Sequence, residues 1–166
     1  GKINLNSFKG RGYKSEIIDQ PGNIGYPEAI ETGLGEPRAI VFRQLETSNL
    51  LKVKGWNIYL GNQNIWELDF FSLDSFINLD DIKLQPSKLS GTGEIYLGSN
   101  LEVEKLSLSG NYEVTVSKDL SILVKGQANI PDQWLNASVG KLNYPDKTYT
   151  VIIEIIDGSQ VIFKDG

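Results

Sequence analysis

Apolar and polar residues alternate with a period of two through most of the chain from residue 39 onward. That spacing puts one side of an extended segment in a core and the other in water, so it predicts strands. Ile40 and Phe42 alternate with Arg43 as a neighbour, Leu51 and Val53 with Lys52 and Lys54, and Trp56, Ile58 and Leu60 with Asn57 and Tyr59. Ile82-Lys83-Leu84, Ile95-Tyr96-Leu97, Tyr112-Glu113-Val114-Thr115-Val116 and Ile122-Leu123-Val124 continue the pattern. Turn clusters fall between them at Gly61-Asn62-Gln63-Asn64, Ser109-Gly110-Asn111 and Ser117-Lys118-Asp119. At Leu73-Asp74-Ser75-Phe76 the alternation slips, which predicts a bulge or a short helical turn. Gly91-Thr92-Gly93 predicts a kinked strand, where a side chain would block a bend or a close backbone approach.

Turn signals every eight to twelve residues or so favour an all-β fold over a parallel α/β one. The spacing predicts a mainly antiparallel sandwich or flattened barrel with one or two short helical turns. Pro27 to Thr32 is one candidate turn of helix, and Asp132, ahead of Trp134 and Leu135, is a candidate helix cap. The clearest hairpin is expected at the end: Val151, Ile153 and Ile155 on one face, Asp157-Gly158 as the turn, then Val161 and Phe163. Ile58-Tyr59-Leu60-Gly61 returns as Ile95-Tyr96-Leu97-Gly98. The offset of about forty residues lies in the range of repeated units. With two visible copies, the expectation is two related layers of one sandwich or barrel and not a solenoid.

Residues 1–38 read differently. Gly10, Gly12, Pro21, Gly22, Gly25, Pro27, Gly33, Gly35 and Pro37 preclude long elements. They predict a Gly/Pro-rich arm or a set of covering loops, with a single β-sandwich or barrel domain over 39–166.

Composition then removes chemistry. The 166 residues include no Cys and no His, and the net charge is −5. Without them there is no thiol nucleophile, disulfide, zinc site of the usual kind or Ser-His-Asp triad. Serines next to lysines, Ser87-Lys88 and Ser117-Lys118, point to opposite faces of a strand and pair poorly. Asp74, Asp80 and Asp81 lack the spacing of a calcium loop. No metal, no cofactor and no catalytic residue is expected. An acidic chain whose densest basic run is Lys9, Arg11 and Lys14 is a poor match for nucleic acid. No window has the length and apolarity of a membrane span. The chain starts at Gly1 without Met, which reads as removal of an initiator Met, a leader or a tag. Composition leaves the compartment open between cytoplasm and a secreted or cell-surface setting. A ligand or partner surface, if present, would draw on Trp56, Tyr59, Trp66, Tyr96 and Trp134.

The run Leu89-Ser90-Gly91-Thr92-Gly93-Glu94-Ile95-Tyr96-Leu97, with Leu101 to Leu108, Tyr112 to Val116 and Leu120 to Val124, resembles a segment of the altered-inheritance-of-mitochondria 24 family. That resemblance, over residues 89–124, implies a β-rich domain related to the attenuator-protein and tubby C-terminal folds. The family's Gly-Glu is here Gly110-Asn111, its Asp is Ser117 and its Gly-His pair is absent, so no catalytic residue carries over. Together these readings describe a non-catalytic β scaffold or self-assembling structural module, associating through sheet edges or the amino-terminal arm. The alternatives are a secreted or surface filament or virion subunit that exchanges its arm, and a carbohydrate-binding β-sandwich.

Overall fold

The computed structural model describes residues 2–18, 27–32, 39–44, 55–137, 140–142 and 149–166. Among the described residues sixteen strands follow one another: β1 (Lys2–Phe8), β2 (Tyr13–Ile17), β3 (Pro27–Thr32), β4 (Ala39–Gln44), β5 (Gly55–Gly61), β6 (Ile65–Trp66), β7 (Asp69–Leu79) and β8 (Lys83–Leu84). Then come β9 (Ser87–Leu97), β10 (Glu102–Val103), β11 (Lys105–Val116), β12 (Ile122–Lys125), β13 (Leu135–Ala137), β14 (Gly140–Leu142), β15 (Val151–Ile155) and β16 (Gln160–Asp165). The fold is all-β. Among the described residues there is no helix, and both candidate helical turns are corrected: 27–32 is a strand, and Asp132 and Gln133 form a turn closed by the Trp134 N–H on the Pro131 carbonyl.

The larger correction concerns direction. Strands β7, β9 and β11 pair side by side in parallel, and the short strands β6, β8 and β10 do the same in a second sheet. Ile77 lies opposite Ile95 and Ile95 opposite Val114. Ile65 lies opposite Lys83, and Lys83 opposite Glu102. Successive equivalents are thus 18 residues apart, then 19, on both sheets. Each such length of chain is one coil of a parallel stack, in which identical positions sit above one another. The Ile58 and Ile95 motifs are equivalent positions in this stack, 37 residues apart, and the copy between them is Ile77-Asn78-Leu79. Alternation alone reports a half-buried strand and is silent on its neighbour's direction, which is why the antiparallel sandwich looked equally good.

The first strand and the last but one, β1 and β15, are inserted between coils. β1 lies between β5 and β7, parallel to each, with Leu5 opposite both Ile58 and Ile77. At the far side, β15 lies between β11 and β12. The expected Asp157-Gly158 hairpin does not form. β15 and β16 each run parallel to β11, along Lys105 to Leu108 and Asn111 to Val116, and the turn joins two segments of one course. Two strands of the amino-terminal Gly/Pro-rich stretch, β1 and β2, belong to the main sheet, while β3 and β4 form a separate antiparallel pair. Antiparallel strands stand at each end of the parallel stack, β2 on β5 and the β13–β14 pair on β12.

Inward positions hold the stack together. Ile58, Leu5, Ile77, Ile95, Val114 and Phe163 form one buried column across six strands. Leu89, Leu108 and Ile155 form a second, and Leu84 and Val103 line the short sheet. Burying each such side chain contributes about 1.5–3 kcal/mol. The surface ion pairs Lys83–Glu102 and Lys164–Glu113 contribute about 0–1 kcal/mol each, so the aliphatic columns dominate.

Midway along the long strands the backbone bends at a column formed by Ser72, Gly91 and Gly110. The two glycines have φ of +112° and +121°, within strands. A Cβ on Gly91 would stand 1.8 Å from the Ser72 carbonyl oxygen, and one on Gly110 would stand 2.0 Å from that of Gly91. The predicted kink at Gly91 is therefore present, and the predicted turn at Gly110 is the same kink one coil on. Gly110→Ala is expected to lower unfolding free energy by about 3–5 kcal/mol in urea, since it adds both a clash and backbone strain. Thr92→Ala, on the exposed side of the same bend, should stay within about 0.5 kcal/mol of wild type. Equal effects would contradict the stacked-glycine column.

Candidate functional surface

Side chains at alternate positions of the long strands point out of the coil, and in-register pairing turns them into columns. One column on the outer wall carries Lys14, Tyr59 and Asn6 and continues through Asn78, Tyr96, Thr115 and Lys164. The next carries Glu16, Asn57 and Asn4 and continues through Phe76, Glu94, Glu113 and Ile162. The result is a face of amides, tyrosines, carboxylates and two lysines, with one threonine, one phenylalanine and one isoleucine. Asn4 donates its side-chain N–H to the Asn57 amide oxygen at 2.8 Å, which links the inserted strand to β5 on the outside.

The five aromatic residues singled out in the sequence do not converge. Tyr59 and Tyr96 share the outer wall, half-buried and three strand spacings apart, roughly 14 Å. Trp56 is buried on the inner side of β5. Trp134 is buried against Phe163, ring centroids 5.7 Å apart, and donates its indole N–H to Asp165 at 2.7 Å. Trp66 is half-buried on the short sheet and donates its indole N–H to the Gly61 carbonyl at 2.9 Å. Tyr112 is also internal, and burial pushes its phenol up to about 12. Among the described residues its hydroxyl has no hydrogen-bond partner.

The most exposed apolar groups lie elsewhere. Phe71 and Leu73 are 68% and 75% exposed on β7. They flank Ser72, where the pairing with β9 shifts register before Ser75. Ser72 Oγ donates to the Asp74 carbonyl and accepts from the Asp74 N–H, and Ser75 Oγ donates to the Thr92 carbonyl. These bonds fix the bulge that the slipped alternation predicts. The outward amides Asn4, Asn6, Asn57 and Asn78 carried no signal in the linear pattern, since a lone Asn between apolar residues looks like any wet strand position. Only the parallel register stacks them.

Electrostatics is local on this wall. Glu154 accepts from Lys105 Nζ at 2.6 Å and from the Ser107 hydroxyl at 3.2 Å. The Lys105 hydrogen bond holds its carboxyl below the usual 4.5 against the opposing effect of desolvation, helped by Ser107 and by the charges of Lys105 and Lys125. A folded-state value below the unfolded one gives stability that is present above the unfolded value and lost as pH falls through the folded one. Between pH 7 and pH 3, Glu154→Gln should therefore flatten part of the acid-side loss of urea midpoint. An unchanged pH profile would contradict the ion pair's contribution.

Among the described residues, no three His, Cys, Asp or Glu side chains are gathered to hold a metal ion, and no helix is long and apolar enough to cross a membrane. No family model matches the chain, and no curated protein matches it. Among solved structures, a crystal structure titled a "putative cell adhesion protein", from Clostridium sporogenes, shares the fold. It is 17% identical, with a TM-score of 0.70 over 100% of this chain and 88% of that one.

Proposed function

We propose that this chain is a non-catalytic β scaffold that works at a cell surface, presenting the outer wall of its coil stack for adhesive contact. The observation that carries the reading is the division of labour along the long strands: inward columns are mainly aliphatic and buried, and the outward columns bring amides, tyrosines and charged groups together on one wall. Flat walls of Tyr, Asn and Phe suit broad, weak, repeated contacts, in which aromatic faces supply area and amides supply hydrogen bonds. The fold shared over the whole chain with a protein titled for cell adhesion supports the same reading. The scaffold form is favoured over an end-to-end filament, because among the described residues β2 and the β13–β14 pair stand at the two ends of the stack as irregular capping strands and not as further coils.

The test is bead retention under flow. Beads coated with the protein should be held on cell layers or on immobilised matrix polymers above albumin-coated beads. Combined Tyr59→Ala, Phe76→Ala and Tyr96→Ala should reduce retention at least severalfold while the thermal midpoint stays close to wild type. Retention no better than albumin on every surface, or full retention by the triple variant, would overturn the assignment of the wall.

A further inference from the structure

The first and last strands of the main sheet, β1 and β16, run in the same direction along one wall, linked through β7, β9 and β11. Lys2 therefore lies at one end of the strand direction and Asp165 at the other. They are separated by roughly 19 Å across four strand spacings and, five residues apart in register, by roughly 17 Å along the strands. We propose that the protein is a tension-bearing link, in which a pull through its two end strands loads their hydrogen bonds in shear. Parallel ladders loaded along the strand must give way together, whereas a pull across the strands opens them one bond at a time. The inference rests on the surface reading only for the source of the tension.

The anchorage at each end is built for such a load. β1 is paired on both edges, from Lys2 opposite Gly55 to Phe8 opposite Gly61 on one side and from Ile3 to Leu5 on the other. β2 then returns on the far edge of β5, so the loop at 9–12 straddles the end of that strand. Gly61 N–H donates to the Gly12 carbonyl at 2.8 Å, Asn62 N–H to Phe8 at 2.9 Å and Gln63 N–H to Gly10 at 3.0 Å. In return, Gly10 N–H donates to the Asn62 side chain at 3.1 Å and Gly12 N–H to that of Asn64 at 2.8 Å. A Cβ on Gly61 would stand 2.5 Å from the Gly10 carbonyl oxygen, so the loop is seated directly on β5. Pulling β1 toward its start draws this loop down onto β5, which opposes the motion.

At the other end, β16 is held along β11 and also by residue 129. Asn129 N–H donates to Val161 at 2.8 Å, and Phe163 N–H donates to Asn129 at 2.7 Å. Gly166 N–H donates to Val116 at 2.8 Å, and the Trp134 and Gln133 side chains donate to the Asp165 carboxylate. Phe163 is buried, so sliding β16 along β11 drags an aromatic ring through the core.

Single-molecule pulling on the full chain tests this, because a protein without cysteine accepts handles at chosen positions. Handles at Lys2→Cys and Lys164→Cys are offset by four residues, roughly 13 Å along the strands, and so load β1 and β16 partly in shear. Handles at Asn6→Cys and Lys164→Cys stand in one outward column of β1 and β16 and pull across the wall. At one loading rate, the first pair should rupture at severalfold higher force. Asn62→Ala with Asn64→Ala should lower the force for the first pair and leave the second unchanged. Equal rupture forces for the two handle pairs, or a double variant that weakens both alike, would overturn the proposal. Equal forces with normal bead retention would sink the tension reading alone, and lost retention with unequal forces would sink the adhesive reading alone.

Discussion

Each long strand of this protein must pair its backbone with the strand on either side, whether the next coil or an inserted strand, and that ladder constrains everything else. A buried backbone group left unpaired costs about 1–3 kcal/mol, so the long strands cannot drift in register. With register fixed, inward positions fall into columns, and a column of aliphatic side chains is the low-energy filling for a narrow interior. The same constraint reaches the bend. Where coils turn together, the backbones approach so closely that Ser72, Gly91 and Gly110 must stack without an intervening side chain.

The ladder also explains where the chain begins and ends its described course. Termini usually fray, yet here β1 occupies an interior place between strands laid down later in the sequence, and β15, next to the last strand, does the same at the far side. An inserted strand satisfies both neighbours' edges at once. It also makes sequence-distant segments mutually dependent, since residues 2–8 complete a sheet otherwise made by residues 55–97. Such non-local parallel pairing carries a high closure entropy and is slow to form. What it provides is a wall in which the first and last strands share one direction.

The strands themselves were legible from the sequence because inward positions from Ile58 to Phe163 keep a clean period of two. The kink at Gly91 and the slip near Ser72 were legible for the same reason, as local departures from that period. What was hidden was the partner of each strand. Ile77-Asn78-Leu79 lacks the Tyr and Gly of its equivalents at 58 and 95, so an 18- or 19-residue period looked like one of about forty. Asp157-Gly158 is a true turn, but long-range pairing with β11 overrode the local hairpin signal. β1 was lost among glycines that serve the loop over β5. The outer wall was only partly visible: Tyr59 and Tyr96 stood out by type, Trp56 and Trp134 stood out and are core, and the asparagine ladder exists only in register.

The central claim is that the amino-terminal strand is an interior member of the sheet. Amide hydrogen exchange resolved by residue tests it most directly. The account predicts that Ile3 to Ser7 exchange as slowly as Ile77 and Ile95 on the neighbouring coils. Rapid exchange along β1 with full protection of β7 and β9 would contradict it, because the first strand would then lie outside the stack.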